Sequence, residues 1–131
     1  MKKMILILLL LISFSNAGEW ATLVTNGTRE MVYKESGKPI ASISKGPAMM
    51  WTMHVLNYDQ EATFLILYID GKGKGVCPIK LATHGLTKIY IAEEIIQAMK
   101  RGNRLMFEDK DTHVMLRYDL KGFTKAFNQT F

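Results

Sequence analysis

A chain of 131 residues, 48% hydrophobic and 22% charged, with a formal net charge of +5, has room for one domain around one modest core. Its basic residues are scattered (Arg29, Lys34, Lys45, Lys72, Lys80, Lys100, Arg117, Lys125) rather than gathered into a run, which argues against nucleic acid as a partner. A single cysteine excludes a disulfide framework within the chain.

Met1-Lys2-Lys3-Met4 is a short positive n-region, Ile5 to Phe14 an apolar h-region, and Ser15-Asn16-Ala17 places small residues before Gly18. The pattern reads as a secretory signal peptide over 1–17, cleaved after Ala17. The alternative is an uncleaved anchor, but a helix over Met4 to Phe14 would be roughly 16 Å long against a hydrocarbon core of about 30 Å. No cysteine stands at the cleavage point to take a lipid. The expectation is therefore one domain over 18–131, 131 − 17 = 114 residues, periplasmic or secreted and without a stable membrane anchor after cleavage. Loss of Lys2 and Lys3 leaves a net charge of +3, a mild basicity that favours solubility or weak adhesion to anionic envelope surfaces.

The mature part reads as mostly strand. Trp20 to Thr25 and Thr28 to Lys34 flank Asn26-Gly27, a dipeptide suited to a type I′ hairpin because both central residues need positive φ. Ser36-Gly37-Lys38-Pro39 breaks the pattern, and a short third strand, Ile40 to Ser44, ends at Lys45-Gly46-Pro47. Met49 to Leu56 alternates, with Met49, Trp51, Met53 and Val55 on one face. After Asn57-Tyr58-Asp59-Gln60, the run Phe64 to Ile69 is apolar on both faces and is expected to be a central strand. Asp70 to Gly75 reads as a glycine-rich turn with solvated lysines, leading into Val76 to Ala82. It lacks the spacing of a phosphate-binding loop.

Thr87 to Ile91 reads as a strand and 92–101 as the one convincing helix. Ala92, Ile95, Ile96 and Met99 share a face, Glu93 and Glu94 sit near its positive end, Lys100 and Arg101 near its negative end, and Gly102 stops it. Its N-cap is weak, because Ile91 offers no side-chain acceptor. Arg104 to Glu108 and Thr112 to Tyr118 form a predicted hairpin around a solvated Asp109-Lys110-Asp111 turn. Beyond it, Leu120, Phe123, Ala126 and Phe127 fall at helical spacing, so a short amphipathic tail is expected to fold back over the sheet. The fold class expected is all-β to β-rich α+β: a small antiparallel β-sandwich with one helix at about 92–101 and a short C-terminal helical segment.

Chemistry-bearing side chains do not gather. Cys77 reads as a buried thiol, with an intermolecular bridge as the alternative. His84 lies seven residues beyond Cys77, but no third group orients an imidazole, and Pro78 points to a bent edge strand rather than the helix N-terminus that activates a thiol. His54, His84 and His113 sit on separate elements without metal-ligand spacing. Asp109 and Asp111 fall short of the oxygen number that calcium takes. Nine methionines, the initiator included, read as core filling rather than as a metal site. No catalytic, cofactor-binding or metal-binding residue is assigned, and no cofactor is expected.

A cysteine-containing strand, a helix ending in Met99-Lys100-Arg101-Gly102, the hairpin from Arg104 to Tyr118 and the closing Leu120-Lys121-Gly122-Phe123-Thr124-Lys125-Ala126 follow in an order that resembles the invasion-associated locus B family of exported bacterial proteins. The resemblance covers about Phe64 to Phe127. Upstream it is limited to Trp20 and the general run of short strands. It implies a periplasmic or secreted β-sandwich-like domain connected with host-cell entry or envelope interaction, and it brings no catalytic residues with it. Family members usually carry paired cysteines near the position of Cys77, where this chain has one.

The function expected is that of an exported, non-enzymatic binding protein whose partner is a protein or a component of the envelope or host surface, with a link to invasion or virulence. Such a protein would expose aromatic residues such as Trp20, Trp51 or Tyr58. A second reading is a periplasmic inhibitor or immunity protein that inserts a loop such as Asp70 to Gly75 into an envelope enzyme. A Cys77/His hydrolase is the third.

Overall fold

The computed structural model describes residues 18–46, 50–56, 63–81 and 86–131. The leader, Met49, Tyr58 and His84 lie outside the described residues. The fold is β-rich α+β, as expected, with two short helices among the described residues. No helix among the described residues is long and apolar enough to cross a membrane.

The first three strands, β1 (Glu19–Thr25), β2 (Thr28–Glu35) and β3 (Lys38–Lys45), form a meander. Both of its turns are two-residue turns with positive φ at each position: 51° and 80° at Asn26-Gly27, 52° and 77° at Ser36-Gly37. Asn and Gly tolerate that backbone best, and the matching twist keeps the strands in register. The meander continues into β4 (Met50–Leu56), where Trp51, Met53 and Val55, on one face by their alternation, are buried.

After β5 (Phe64–Ile69) comes a third turn of the same kind, Asp70-Gly71, with φ of 52° and 81°, closed by the pair Ile69↔Lys72. The expected glycine-rich turn to Gly75 is thus shorter. Two residues suffice to reverse the chain, and Gly73 and Gly75 already belong to β6 (Lys72–Leu81) opposite Tyr68 and Leu67. Then follow β7 (Leu86–Ala92), α1 (Glu93–Arg101), β8 (Arg104–Glu108), β9 (Met115–Asp119) and α2 (Phe123–Thr130).

The nine strands hydrogen-bond in one continuous order, β1-β2-β3-β4-β7-β6-β5-β8-β9, with every neighbour antiparallel. The pairings fall into two groups, β1 to β4 with β7 and β5 with β8 and β9, and β6 belongs to both. The joint is β6: through Pro78 it pairs with β5, and from Ile79 it pairs with β7. Proline has no N–H to donate, so a partner change costs least there. Pro78 therefore marks an interior joint and not the edge strand its sequence position implied. The Ile79 amide beyond it donates to Thr63 O at 3.1 Å.

One core cluster holds residues from both ends of this sheet, from Trp20 of β1 to Phe107 and Tyr118 of β8 and β9. The sheet is curled, and the helices close its inner side. α1 begins at Glu93 with Ala92 as an N-cap lacking a side-chain bond, and buries Ile95, Ile96 and Met99. Glu93 accepts the Trp51 indole N–H, so the carboxylate anchors a core aromatic as well as facing the helix's positive end. α2 buries Phe123, Ala126 and Phe127; Phe123 meets Trp20 edge-on at 5.4 Å and Phe127 meets Trp51 at 4.9 Å. Lys100 Nζ stands 4.0 Å above the Phe127 ring, a cation–π contact tying α1 to α2.

Two details differ from the sequence reading. β9 starts at Met115 rather than Thr112, and the preceding turn is not solvated throughout. The Asp109 carboxylate accepts the Asp111 amide at 2.9 Å and the Thr112 amide at 3.4 Å, and the residue is 1% exposed. An aspartate that bonds its own chain two residues on competes with strand pairing. The second difference concerns Trp20 and Trp51, which lie in the core instead of on the surface.

Candidate functional site

The two edge strands of the curled sheet meet without pairing as strands. At the seam the Trp20 amide donates to Lys121 O at 2.9 Å, and its indole Nε1–H donates to Asp119 O at 2.9 Å. The Asp119 amide donates to the Tyr33 hydroxyl oxygen at 3.0 Å. Side chains of β1 and β2 thus satisfy the backbone of β9 at Asp119. On one side of this contact α2 covers the gap, with Thr22 Oγ1 donating to Ala126 O at 3.1 Å. On the other side the gap stays open.

That opening is a cleft of about 1040 Å3, whose lining includes Tyr33, Tyr118, Arg104, Met106 and Arg117. Each residue is there for a local reason. Tyr33 sits at an inward position of β2, beside a bulge between Tyr33 and Lys34, and its ring packs edge-on against Tyr118 at 5.2 Å. Arg104 and Arg117 occupy outward positions of β8 and β9, in the register Arg104↔Asp119 and Met106↔Arg117. Asp70 clamps the floor, its Oδ1 accepting the Asn103 amide at 3.0 Å and the Arg104 amide at 2.9 Å.

Burial, more than any neighbour, raises the Tyr33 hydroxyl above its ordinary value; the Asp119 amide opposes this and Glu35 adds to it. Burial likewise pushes Tyr118 up, with Glu35 and Tyr33 adding to the effect. Both stay neutral at physiological pH and act as hydrogen-bonding groups. Among the described residues neither arginine is in an ion pair; the ion pair at the seam joins Lys121 to Glu19 at 4.0 Å, both exposed. The cleft lining holds the Arg104 and Arg117 guanidinium groups and the Asp70 and Asp119 carboxylates beside the Tyr33 and Tyr118 rings.

The residues weighed from sequence lie elsewhere. Cys77 is 0% exposed, and burial pushes its thiol up to about 12. Its imidazole candidate His84 is outside the described residues. His54 points to the outer face of the sheet, into an open depression of about 400 Å3 with Leu23, Val32, Ile40 and Leu56. Burial, followed by Lys88, lowers its pKa. His113 is exposed in the β8–β9 turn with φ of 59°. No three His, Cys, Asp or Glu side chains gather among the described residues in a way that could hold a metal ion.

The stretch Asp70 to Gly75 is a clamped turn and a strand, not a protruding loop. Phe64 and Val76, 44% and 61% exposed, are the apolar side chains that β5 and β6 leave on the surface. Sequence reasoning missed Tyr33, Tyr118 and the arginine pair as a group. β2 and β9 are far apart in the chain, and only the curl brings them together; the legible hint is the outward parity of Arg104 and Arg117 on the predicted hairpin.

No protein-family profile, curated protein or solved structure matches this chain.

Proposed function

We propose that this chain is an exported, non-enzymatic binding protein of the bacterial envelope, with its contact site in the seam cleft. The observation that carries the reading is a cleft of about 1040 Å3 that offers charged side chains of both signs, Arg104 and Arg117 with Asp70 and Asp119, beside the hydrogen-bonding Tyr33 and Tyr118. Clefts of this size, apolar at the floor with a few convergent polar groups, are where ligands bind. The leader pattern of residues 1–17 supports export, and the resemblance of the motif order to that of the invasion-associated locus B family supports an envelope or host-surface partner.

The test is retention of a component of envelope or host-cell extract by the immobilised 18–131 domain. The expected result is a saturable species displaced by untagged domain and retained equally by Cys77→Ser. Absence of any displaceable species, or a catalytic turnover abolished by Cys77→Ser, overturns the proposal.

A further inference from the structure

Gly18 is held in place from three directions. The register Glu19↔Lys34 sets it across from Glu35, one step further along the β1–β2 ladder, and alternation turns it to the same inward face as Trp20. Two residues on, Trp20 is fastened to the opposite edge, its amide to Lys121 O and its indole N–H to Asp119 O, each at 2.9 Å. Gly18 itself is buried at the cleft, packed against the Tyr33 ring. A Cβ there would overlap the Tyr33 hydroxyl and stand 2.6 Å from Cε1. The ring has nowhere to go: it is buried, lies 5.2 Å from both Trp20 and Tyr118, and its hydroxyl accepts the Asp119 amide. A side chain at position 18 is therefore excluded by packed atoms.

The leader pattern places the cut at this same residue. Hydrolysis of the Ala17–Gly18 peptide bond consumes one water and leaves a carboxylate on Ala17 and an ammonium on Gly18. A neutral amide nitrogen becomes a cation with three donors, one bond from a Cα packed against the Tyr33 hydroxyl. That hydroxyl keeps one acceptor lone pair after the Asp119 amide has taken the other, and its own proton faces the Glu35 carboxylate. The remaining charges nearby are of both signs. Arg104 and Arg117 line the cleft with Asp70 and Asp119, two against two. Glu19 is paired with Lys121 at 4.0 Å, and Lys38, the ladder partner of Glu35 on β3, makes no ion pair with it among the described residues. Glu35 is the carboxylate left for a new cation.

We infer that Ala17–Gly18 is a maturation site whose product the fold uses: the Gly18 ammonium seats between the Tyr33 hydroxyl and Glu35 and closes the β1 end of the seam cleft. The inference rests on the export reading above and gives the new N-terminus a role in the folded domain.

The test compares 18–131 with a free Gly18 amine, the same chain acetylated on that amine, and 17–131 with Ala17 retained. The core cluster runs from Trp20 to Phe127, so each chain carries it complete. At about pH 6 the free-amine chain should melt about 2–4 °C above the other two, with slower exchange at the Asp119 amide. An α-amine titrates ordinarily at about 8, and stability from its charged form is lost as pH rises through that range, so the gap should close by about pH 9.5. Glu35→Gln should close the gap at the lower pH as well. Gly18→Ala should lower the melting temperature further than acetylation does. Equal melting of the three chains, a gap that survives Glu35→Gln or the higher pH, or native melting of Gly18→Ala overturns the inference. Expression of 1–131 in a bacterium, with N-terminal sequencing of the recovered chain, supplies the second arm. A chain beginning elsewhere than Gly18 overturns the export reading along with the inference, whereas a Gly18 start without the amine-dependent gap overturns the inference alone.

Discussion

A thiol whose ionisation is pushed up to about 12 by burial carries almost no thiolate at neutral pH, and thiolate is the form that attacks, binds metal or exchanges disulfides. Cys77 is therefore a small core side chain. Cys77→Ser should cost about 1–2 kcal/mol by burying a hydroxyl in a thiol's place, seen as a lowered melting temperature. The native thiol should react with an aromatic disulfide reagent only as fast as the chain opens; rapid stoichiometric labelling of folded protein would contradict its placement.

His54 is a residue whose titration near neutral pH bears on stability. Its folded pKa lies below the ordinary 6.5, so the unfolded chain binds the proton more readily, and stability contributed by neutral His54 is lost as pH falls through that range. His54→Gln should flatten the fall in melting temperature between about pH 7 and pH 5; an unchanged slope would place the pH response in other groups.

At the scale of elements, α2 does the most with the fewest residues. Its entry depends on Gly122, held at φ of 77°, where a Cβ would stand 2.6 Å from Trp20 O, so a side chain is excluded by both backbone conformation and backbone contact. The helix then places Phe123 and Phe127 on Trp20 and Trp51, two of the largest surfaces in the core. Ending the chain at Asp119 removes both rings and Leu120. Each lost ring costs about 3–5 kcal/mol on the scale of Phe→Ala substitutions, against a total of about 5–15 kcal/mol for a small domain. The truncated chain should be largely unfolded at room temperature by circular dichroism; an unaltered melting curve would show the helix to be dispensable. This segment was legible in advance because Leu120, Phe123, Ala126 and Phe127 repeat at helical spacing, as do Ile95, Ile96 and Met99 of α1. The boundaries of β6 and β9 were not legible, since they depend on which partner strand continues to bond: Pro78 moves β6 from β5 to β7, and Asp109 holds back the start of β9.

For the molecule as a whole, the consequential feature is a sheet that curls until its edges meet but do not pair. Tyr33 stands in for part of the missing strand, accepting the Asp119 amide. Tyr33→Phe removes the acceptor of that part-buried donor and should destabilise the domain by about 1 kcal/mol, with faster exchange at the Asp119 amide. Protection unchanged at Asp119 would mean that the seam is held by Trp20 alone. Periodicity and turn chemistry act between residues close in the chain, so the amino-acid order by itself determined the strand succession, the positive-φ turn at Asn26-Gly27, the inward faces and both helices. Whether those strands make two facing layers or one curled sheet is set by long-range pairing, and so is everything that follows from it: the burial of Trp20 and Trp51, the seam, and the meeting of Tyr33 with Tyr118. No local pattern encodes such contacts, because their energy appears only when segments about 85 residues apart are already side by side.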